Sequence, residues 1–192
     1  MLDKAPEADP SGRDLNAGQF VRFGIMKGDA NFRGDIDFNN EAVKRRIMYL
    51  SDLLDANNPD LSSYRDHGGK LIIEEHTSDY AISPESVFQY YDNVVHRMGQ
   101  RTTDSFVRLF VNPGVTHGGQ GPEGLFVPNK VDLLDALDKW VSKGVKPDGL
   151  TMAAYDGSKV VTTKPLCRYP TYPKYRGTGD AKKAASFACV PL

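Results

Sequence analysis

Long apolar runs are missing from this chain of 192 residues. The most continuous ones, such as Ile47-Met48-Tyr49-Leu50 and Leu71-Ile72-Ile73, fall far short of the roughly 20 residues that a bilayer-spanning helix needs, which excludes a transmembrane helix. The first residues, Met1-Leu2-Asp3-Lys4-Ala5-Pro6-Glu7, are acidic and polar, so no secretory leader is expected within this sequence. An excess of either charge is also missing. With 24 basic and 25 acidic residues mixed along the chain, the net charge of −1 gives no electrostatic case for nucleic acid or an anionic membrane as partner; small neutral or weakly charged substrates fit better. Cysteine is scarce, and no Cys-x-x-Cys or Cys/His ligand spacing supports a structural zinc site. The two that occur, Cys167 and Cys189, flank a tail rich in proline and glycine. A disulfide closing that loop would stabilise the fold by roughly 3 kcal/mol in the chain-entropy model, while two free thiols are the other reading; the residues alone leave both open.

What is present organises into alternating elements. The length suits one domain with a sizeable core rather than two large ones. Residues 1 to about 38 are rich in Asp, Gly, Asn and Arg without a sustained period and read as irregular. Val43, Ile47, Leu50 and Leu54 mark one face of a helix ending near Asn57-Asn58-Pro59. A polar stretch, Asp60 to Gly69, leads into Leu71-Ile72-Ile73, a buried strand. Ser83-Pro84 reads as an N-cap followed by proline at the first helical position. Val87, Tyr91, Val94, Val95 and Met98 then recur on one face until Gly99. A second strand, Phe106 to Val111, stops at Asn112-Pro113-Gly114. A helix from Val131 to Lys143 uses Leu133, Leu134, Leu137, Trp140 and Val141 and stops at Gly144. Leu150 to Tyr155, Asp156-Gly157 and Lys159 to Thr163 read as a β-hairpin. No internal repeat or low-complexity linker interrupts this order.

Two strands with crossover helices are the rhythm of a parallel sheet, where ligands bind outside the carboxyl ends of the strands. Asp79 and His117 both fall on that edge, each just past a strand. Acid first and histidine second is the order in which an α/β-hydrolase presents the last two members of its triad, after the serine. In that reading His117 is the general base and Asp79 fixes its tautomer. A loop histidine that only packs or hydrogen-bonds is the bland alternative. No Gly-x-Ser-x-Gly occurs in the chain, and no serine sits in a strand-to-helix turn before Asp79.

Several motifs carry a resemblance: Asn58-Pro59-Asp60-Leu61-Ser62 with Gly68-Gly69-Lys70-Leu71-Ile72, then Ser78-Asp79-Tyr80-Ala81-Ile82-Ser83-Pro84 and Arg108-Leu109-Phe110 with Pro113-Gly114-Val115-Thr116-His117-Gly118-Gly119. Pro165 to Pro170, Gly177-Thr178-Gly179-Asp180 and Ala185 to Cys189 add to it. From about Phe32 onward the chain resembles the tannase and feruloyl esterase family, a branch of the α/β-hydrolases. The resemblance implies the C-terminal portion of an α/β-hydrolase sheet, strand-helix-strand-helix, plus a β-hairpin and a tail closed by a Cys167–Cys189 disulfide. It implies Asp79 and His117 as triad acid and base, and a secreted or periplasmic ester hydrolase acting on a small aromatic ester of feruloyl, galloyl or terephthalate type. Residues 1–58 would then be the end of a lid-type region and 59–192 the C-terminal part of the hydrolase domain. The family's serine and its neighbouring cysteine precede the lid and have no counterpart here. The cysteine that commonly follows the triad histidine is Gly118 here, and Glu75-His76-Thr77 stands where the family usually reads His-Gly-Trp or similar.

Other readings compete. His76 with Asp79 and His117 could bind a divalent metal, though the spacing is not a helical His-x-x-x-His. Gly118-Gly119-Gln120-Gly121 reads as a tight turn more readily than as an anion-binding nest. Asp35-Ile36-Asp37 favours a solvated turn over a calcium ligand pair, so no cofactor is expected; the resemblance allows a lid calcium, for which these residues give no support. Tyr90, Tyr91 and Phe106 read as core, with an aryl-stacking role as the alternative. The rival to an esterase is a non-catalytic truncated domain that self-associates or binds an upstream chain.

Overall fold

The computed structural model describes residues 18–28, 36–123 and 125–192. The chain divides into two compact units, Met1–Asn57 and Asn58–Leu192. In the first, Phe20–Ile25 forms a π-helical turn where irregular chain was expected, with Ile25 buried. Helix α1, Glu41–Leu54, starts where the Asn40 side chain accepts hydrogen bonds from the Ala42 and Val43 amides. Leu50 is its buried residue, whereas Leu54, expected on the same face, is exposed with Met48, Tyr49 and Leu53. Asp35 lies outside the described residues, so the reading of the Asp35–Asp37 pair stands on sequence alone.

The second unit is built on a three-stranded sheet in the order β1-β2-β5. Strands β1 (Leu71–His76) and β2 (Val107–Asn112) run parallel and in register from Leu71 opposite Val107 to His76 opposite Asn112. Beyond β2, the short β5 (Cys167–Arg168) pairs antiparallel. Among the described residues the other edge of β1 is unpaired. Side chains alternate across the pleat. Tyr91, Phe106, Val107 and Leu109 therefore gather with Leu71 and Ile73 into one core cluster, and Phe110, Met152 and Leu166 with Ile72 and Leu133 into another. A parallel sheet apolar on both sides requires cover on both sides. Helix α3 (Pro84–Met98) contributes Tyr91 to the first cluster, and α5 (Leu133–Lys143) packs Leu133 on the second.

Several boundaries differ from the sequence reading. The polar stretch before β1 contains a short helix, α2 (Ser62–Asp66), whose start is held by the Asp60 carboxylate accepting from the Ser62 amide. Pro84 does open α3, but the Ser83 side chain does not cap it; the Ser83 carbonyl accepts from the Ser86 amide and hydroxyl instead. Gly99, at φ 83°, turns the chain directly into α4 (Gln100–Phe106), so Phe106 ends a helix rather than beginning a strand; it is buried, as is Tyr91. Helix α5 begins at Leu133, because Asp132 accepts from the Asp135 amide, and it ends at Gly144 in the left-handed region. Its buried residues are Ala136 and Trp140, while Leu134 and Val141 face solvent.

The hairpin forms as β3 (Thr151–Asp156) and β4 (Lys159–Pro165), joined through Gly157 at φ 57°. The tail is more ordered than its prolines and glycines suggested: β6 (Thr171–Tyr175) pairs antiparallel with β7 (Phe187–Pro191). Tyr169 packs against Phe88 and Tyr91, and a disulfide joins Cys167 of β5 to Cys189 of β7 with their Cα atoms 5.6 Å apart.

Candidate active site

The carboxyl ends of β1 and β2 continue into two loops that are laced together by backbone geometry. The Thr77 amide donates to the Asn112 carbonyl at 3.2 Å and the Ser78 amide to the Val115 carbonyl at 3.1 Å, prolonging the β1–β2 ladder beyond the strands. The Gly114 amide donates to the Thr77 hydroxyl at 3.2 Å, and Gly114, at φ 80°, makes the turn that a side chain would strain. Farther out, Thr116 and Gln120 close the glycine-rich segment: the Thr116 amide and hydroxyl both donate to the Gln120 carbonyl. This is the tight turn expected of Gly118 to Gly121, with Gly119 at φ 73°.

That lacing brings Asp79 and His117 together. His117 Nδ1 lies 2.8 Å from Asp79 Oδ2. The second carboxylate oxygen, Oδ1, accepts from the Ala81 amide at 2.7 Å and the Ile82 amide at 3.0 Å. Burial works against the charge on Asp79, but the Ile82 amide, the His117 ring and the Ala81 amide together outweigh it and hold the carboxyl below its ordinary value. The side chain of Asp79 is 9 % exposed and that of His117 is 51 % exposed. A proton on Nδ1 satisfies the ionised Asp79, which leaves Nε2 of a neutral ring as a base. Among the described residues, no serine, threonine or cysteine side chain is hydrogen-bonded to that nitrogen.

Glu75, His76 and Thr77 each have a defined place. Thr77 receives the Gly114 amide, as above. His76 directs Nδ1 to the Thr116 carbonyl at 3.0 Å and Nε2 to Glu74 Oε1 at 3.5 Å, so both nitrogens face acceptors and neither is poised with Asp79 and His117 for a metal. Among the described residues no group of three or more histidine, cysteine or acidic side chains is arranged to hold a metal ion. Glu74 also accepts from Asn112 at 3.0 Å. Glu75, one residue on, is buried. An apolar groove of about 400 Å³ lies beside the start of the histidine loop, lined by Asn112, Pro113, Phe126, Met152 and Phe187 among others. Neither Asp79 nor His117 lines it, so it is separate from the acid–histidine pair.

A parallel strand pair with cover on both faces and an acid–histidine pair at its carboxyl end defines part of an α/β-hydrolase type of domain. Solved structures agree: feruloyl esterase B from Aspergillus oryzae superposes with a TM-score of 0.76 at 25% identity, over 91% of this chain and 37% of that one. The family model for tannase and feruloyl esterase matches residues 15–190, and the chain belongs to that family. Among curated relatives, the probable feruloyl esterase of Arthroderma benhamiae is 41% identical over 172 residues, 86% of this chain and 32% of its own length. The mono(2-hydroxyethyl) terephthalate hydrolase of Piscinibacter sakaiensis is 35% identical over 140 residues, 70% of this chain and 22% of its own. The chain thus spans about a quarter to a third of the length of the curated relatives it matches first.

Proposed function

We propose that this chain supplies the acid and the base of a serine-type carboxylic ester hydrolase acting on aromatic-acid esters, with the nucleophile contributed from outside these 192 residues. The observation that carries the reading is the 2.8 Å contact between His117 Nδ1 and Asp79, in a family whose relatives include feruloyl and terephthalate ester hydrolases. His117 Nε2 takes the proton of a serine hydroxyl as that oxygen attacks the ester carbonyl. It then returns the proton to the departing alkoxide, and repeats the cycle with water to release the aromatic acid. Asp79 holds Nδ1–H toward itself and stabilises the imidazolium that forms. The disulfide and the absence, among the described residues, of any helix long and apolar enough to cross a membrane fit a secreted or periplasmic protein. The alternative, a non-catalytic domain that pairs with itself or an upstream chain, draws on the unpaired edge of β1.

Hydrolysis of methyl ferulate and labelling by a fluorophosphonate distinguish the two. They are measured on this chain alone and on the chain joined at its N-terminus to the part of the Arthroderma benhamiae relative that it does not match. Turnover and a labelled serine only in the joined protein support the proposal. No turnover in the joined protein, once it is shown to fold, favours the non-catalytic reading.

A further inference from the structure

His117 occupies the second position of a tight turn. The Gly119 amide donates to the Thr116 carbonyl at 2.9 Å and closes that turn around His117 and Gly118. The same carbonyl is met from outside the loop, by His76 Nδ1 at 3.0 Å. A carbonyl oxygen only accepts, so Nδ1 carries a proton and donates it. Nε2, across the ring, faces Glu74 Oε1 at 3.5 Å, and that oxygen also accepts from Asn112 Nδ2 at 3.0 Å. Asn112 is fully buried where β2 ends, opposite His76 in the ladder. A continuous line of contacts therefore runs from the sheet, through Glu74 and the His76 ring, to the residue before His117. We propose that His76 is a positioning residue for the base: its Nδ1–H clamps the carbonyl that closes the His117 turn, and so holds the His117 ring against Asp79 without touching substrate. This rests on the reading of His117 as the base of ester hydrolysis.

Little within the loop fixes His117. Its side chain is half exposed, and Gly118, Gly119 and Gly121 after it offer no side chain to pack. The loop is held instead by ties from the end of β1. The Thr77 amide takes the Asn112 carbonyl, the Thr77 hydroxyl takes the Gly114 amide and the Ser78 amide takes the Val115 carbonyl. Those ties stop at Val115. Among the described residues, His76 supplies the one hydrogen bond from this end of β1 that reaches Thr116, and its side chain is mostly shielded, so water competes weakly for the bond. Beyond the base, Asn129 Nδ2 donates to the Gly119 carbonyl, so the turn is gripped on both sides. A general base works only within hydrogen-bond reach of the proton it takes. A misplacement of about 1 Å can cost about 10²-fold in rate, which makes a single loop anchor consequential.

The first readout uses the whole chain alone and involves no turnover. Proton–nitrogen NMR correlation of the imidazoles at neutral pH should find a proton on Nδ1 of His76. Amide exchange at Gly119 should quicken about 10-fold in His76→Ala, as the loss of one hydrogen bond implies. In His76→Asn, whose side-chain NH2 stands where Nδ1 stood, it should stay within about 3-fold of wild type. Amides of the β1–β2 ladder should exchange as in wild type in both variants, which separates a loosened loop from a weakened fold. The second readout is methyl ferulate turnover by the joined protein. There kcat should fall about 10- to 100-fold in His76→Ala with KM nearly unchanged, and His76→Asn should recover most of it. A His76 ring protonated on Nε2 alone, Gly119 exchange equal in wild type and His76→Ala, or alanine and asparagine variants that behave alike would overturn the proposal. If His76→Ala does not fold, the ring proton of wild type and the exchange and kcat of His76→Asn decide. A joined protein inactive even as wild type would remove the esterase reading, and the exchange data would still decide whether His76 clamps the turn.

Discussion

Replacing Cys167 and Cys189 together by alanine should cost the fold a defined amount. The bridge closes a loop of 22 residues, for which the chain-entropy model gives about 3.4 kcal/mol at 25 °C. Cys167 sits at the sheet, 1 % exposed, so the smaller side chain adds a modest packing loss there, while Cys189 is exposed and adds little. For a chain of this size each kcal/mol moves the unfolding midpoint by about 2–4 °C, so the double variant should melt about 7–14 °C below wild type. Alanine is preferred to serine because a hydroxyl at position 167 would be buried. Calorimetric unfolding of both proteins without reductant is the assay, and wild type in strong reductant should fall to nearly the same midpoint. The β6–β7 ladder should lose amide protection first, since the bridge is what ties β7 to β5. A double variant melting within about 2 °C of wild type would show that the bridge does not stabilise the fold. So would two thiols alkylated in denatured, unreduced wild type.

Three further outcomes follow from particular contacts. Because burial raises the folded-state affinity of Glu75 for its proton above that of the unfolded chain, wild type pays no penalty while the group is protonated in both states. It loses stability as pH rises through the folded midpoint. Glu75→Gln should therefore melt higher than wild type near pH 8 and equally near pH 4, by thermal scans at both; an equal difference at both would sink the assignment. Arg108 is 2 % exposed, bonded to Asp148 at 2.7 Å and stacked on Trp140 at 5.1 Å. Asp148→Ala should cost about 1–3 kcal/mol, discounted because Asp148 itself is half exposed, and Arg108→Met less, by denaturant titration. Finally, the unpaired edge of β1 should make the isolated chain self-associate, read as an elution volume that changes across a dilution series; a monomer at every concentration would contradict it.

The acid–histidine pair was legible in the sequence for a simple reason. Leu71-Ile72-Ile73 and Phe106 to Val111 are short apolar runs, and each is followed by turn-forming residues that end a strand within a few positions of Asp79 or His117. What the sequence hid depends on tertiary geometry. Glu74 and Glu75 look alike in a one-dimensional string, and only the pleat decides that one meets Asn112 while the other is walled in. Helices α2 and α4 are too short for a hydrophobic period to register, and α4 begins with no linker after Gly99. In α5 the stripe Leu133, Ala136, Leu137 and Trp140 follows helical spacing, and Leu134 and Val141 lie off it despite their apolar side chains. The tail strands were masked by Pro173 and Pro191, which a two-stranded ladder tolerates because each strand has a free edge. The minor reading of His76 as a metal ligand stayed open because sequence cannot show that the Thr116 carbonyl and Glu74 face its ring.

One rate comparison tests most directly whether His117 moves the proton of an ester hydrolysis while Asp79 orients its ring. Methyl ferulate turnover is measured for the joined protein as wild type, His117→Ala and Asp79→Asn, each first shown to fold. His117→Ala should abolish turnover, and Asp79→Asn, which presents the wrong hydrogen-bonding pattern to Nδ1, should slow it by up to about 10⁴-fold. Wild-type rates in both variants would contradict it.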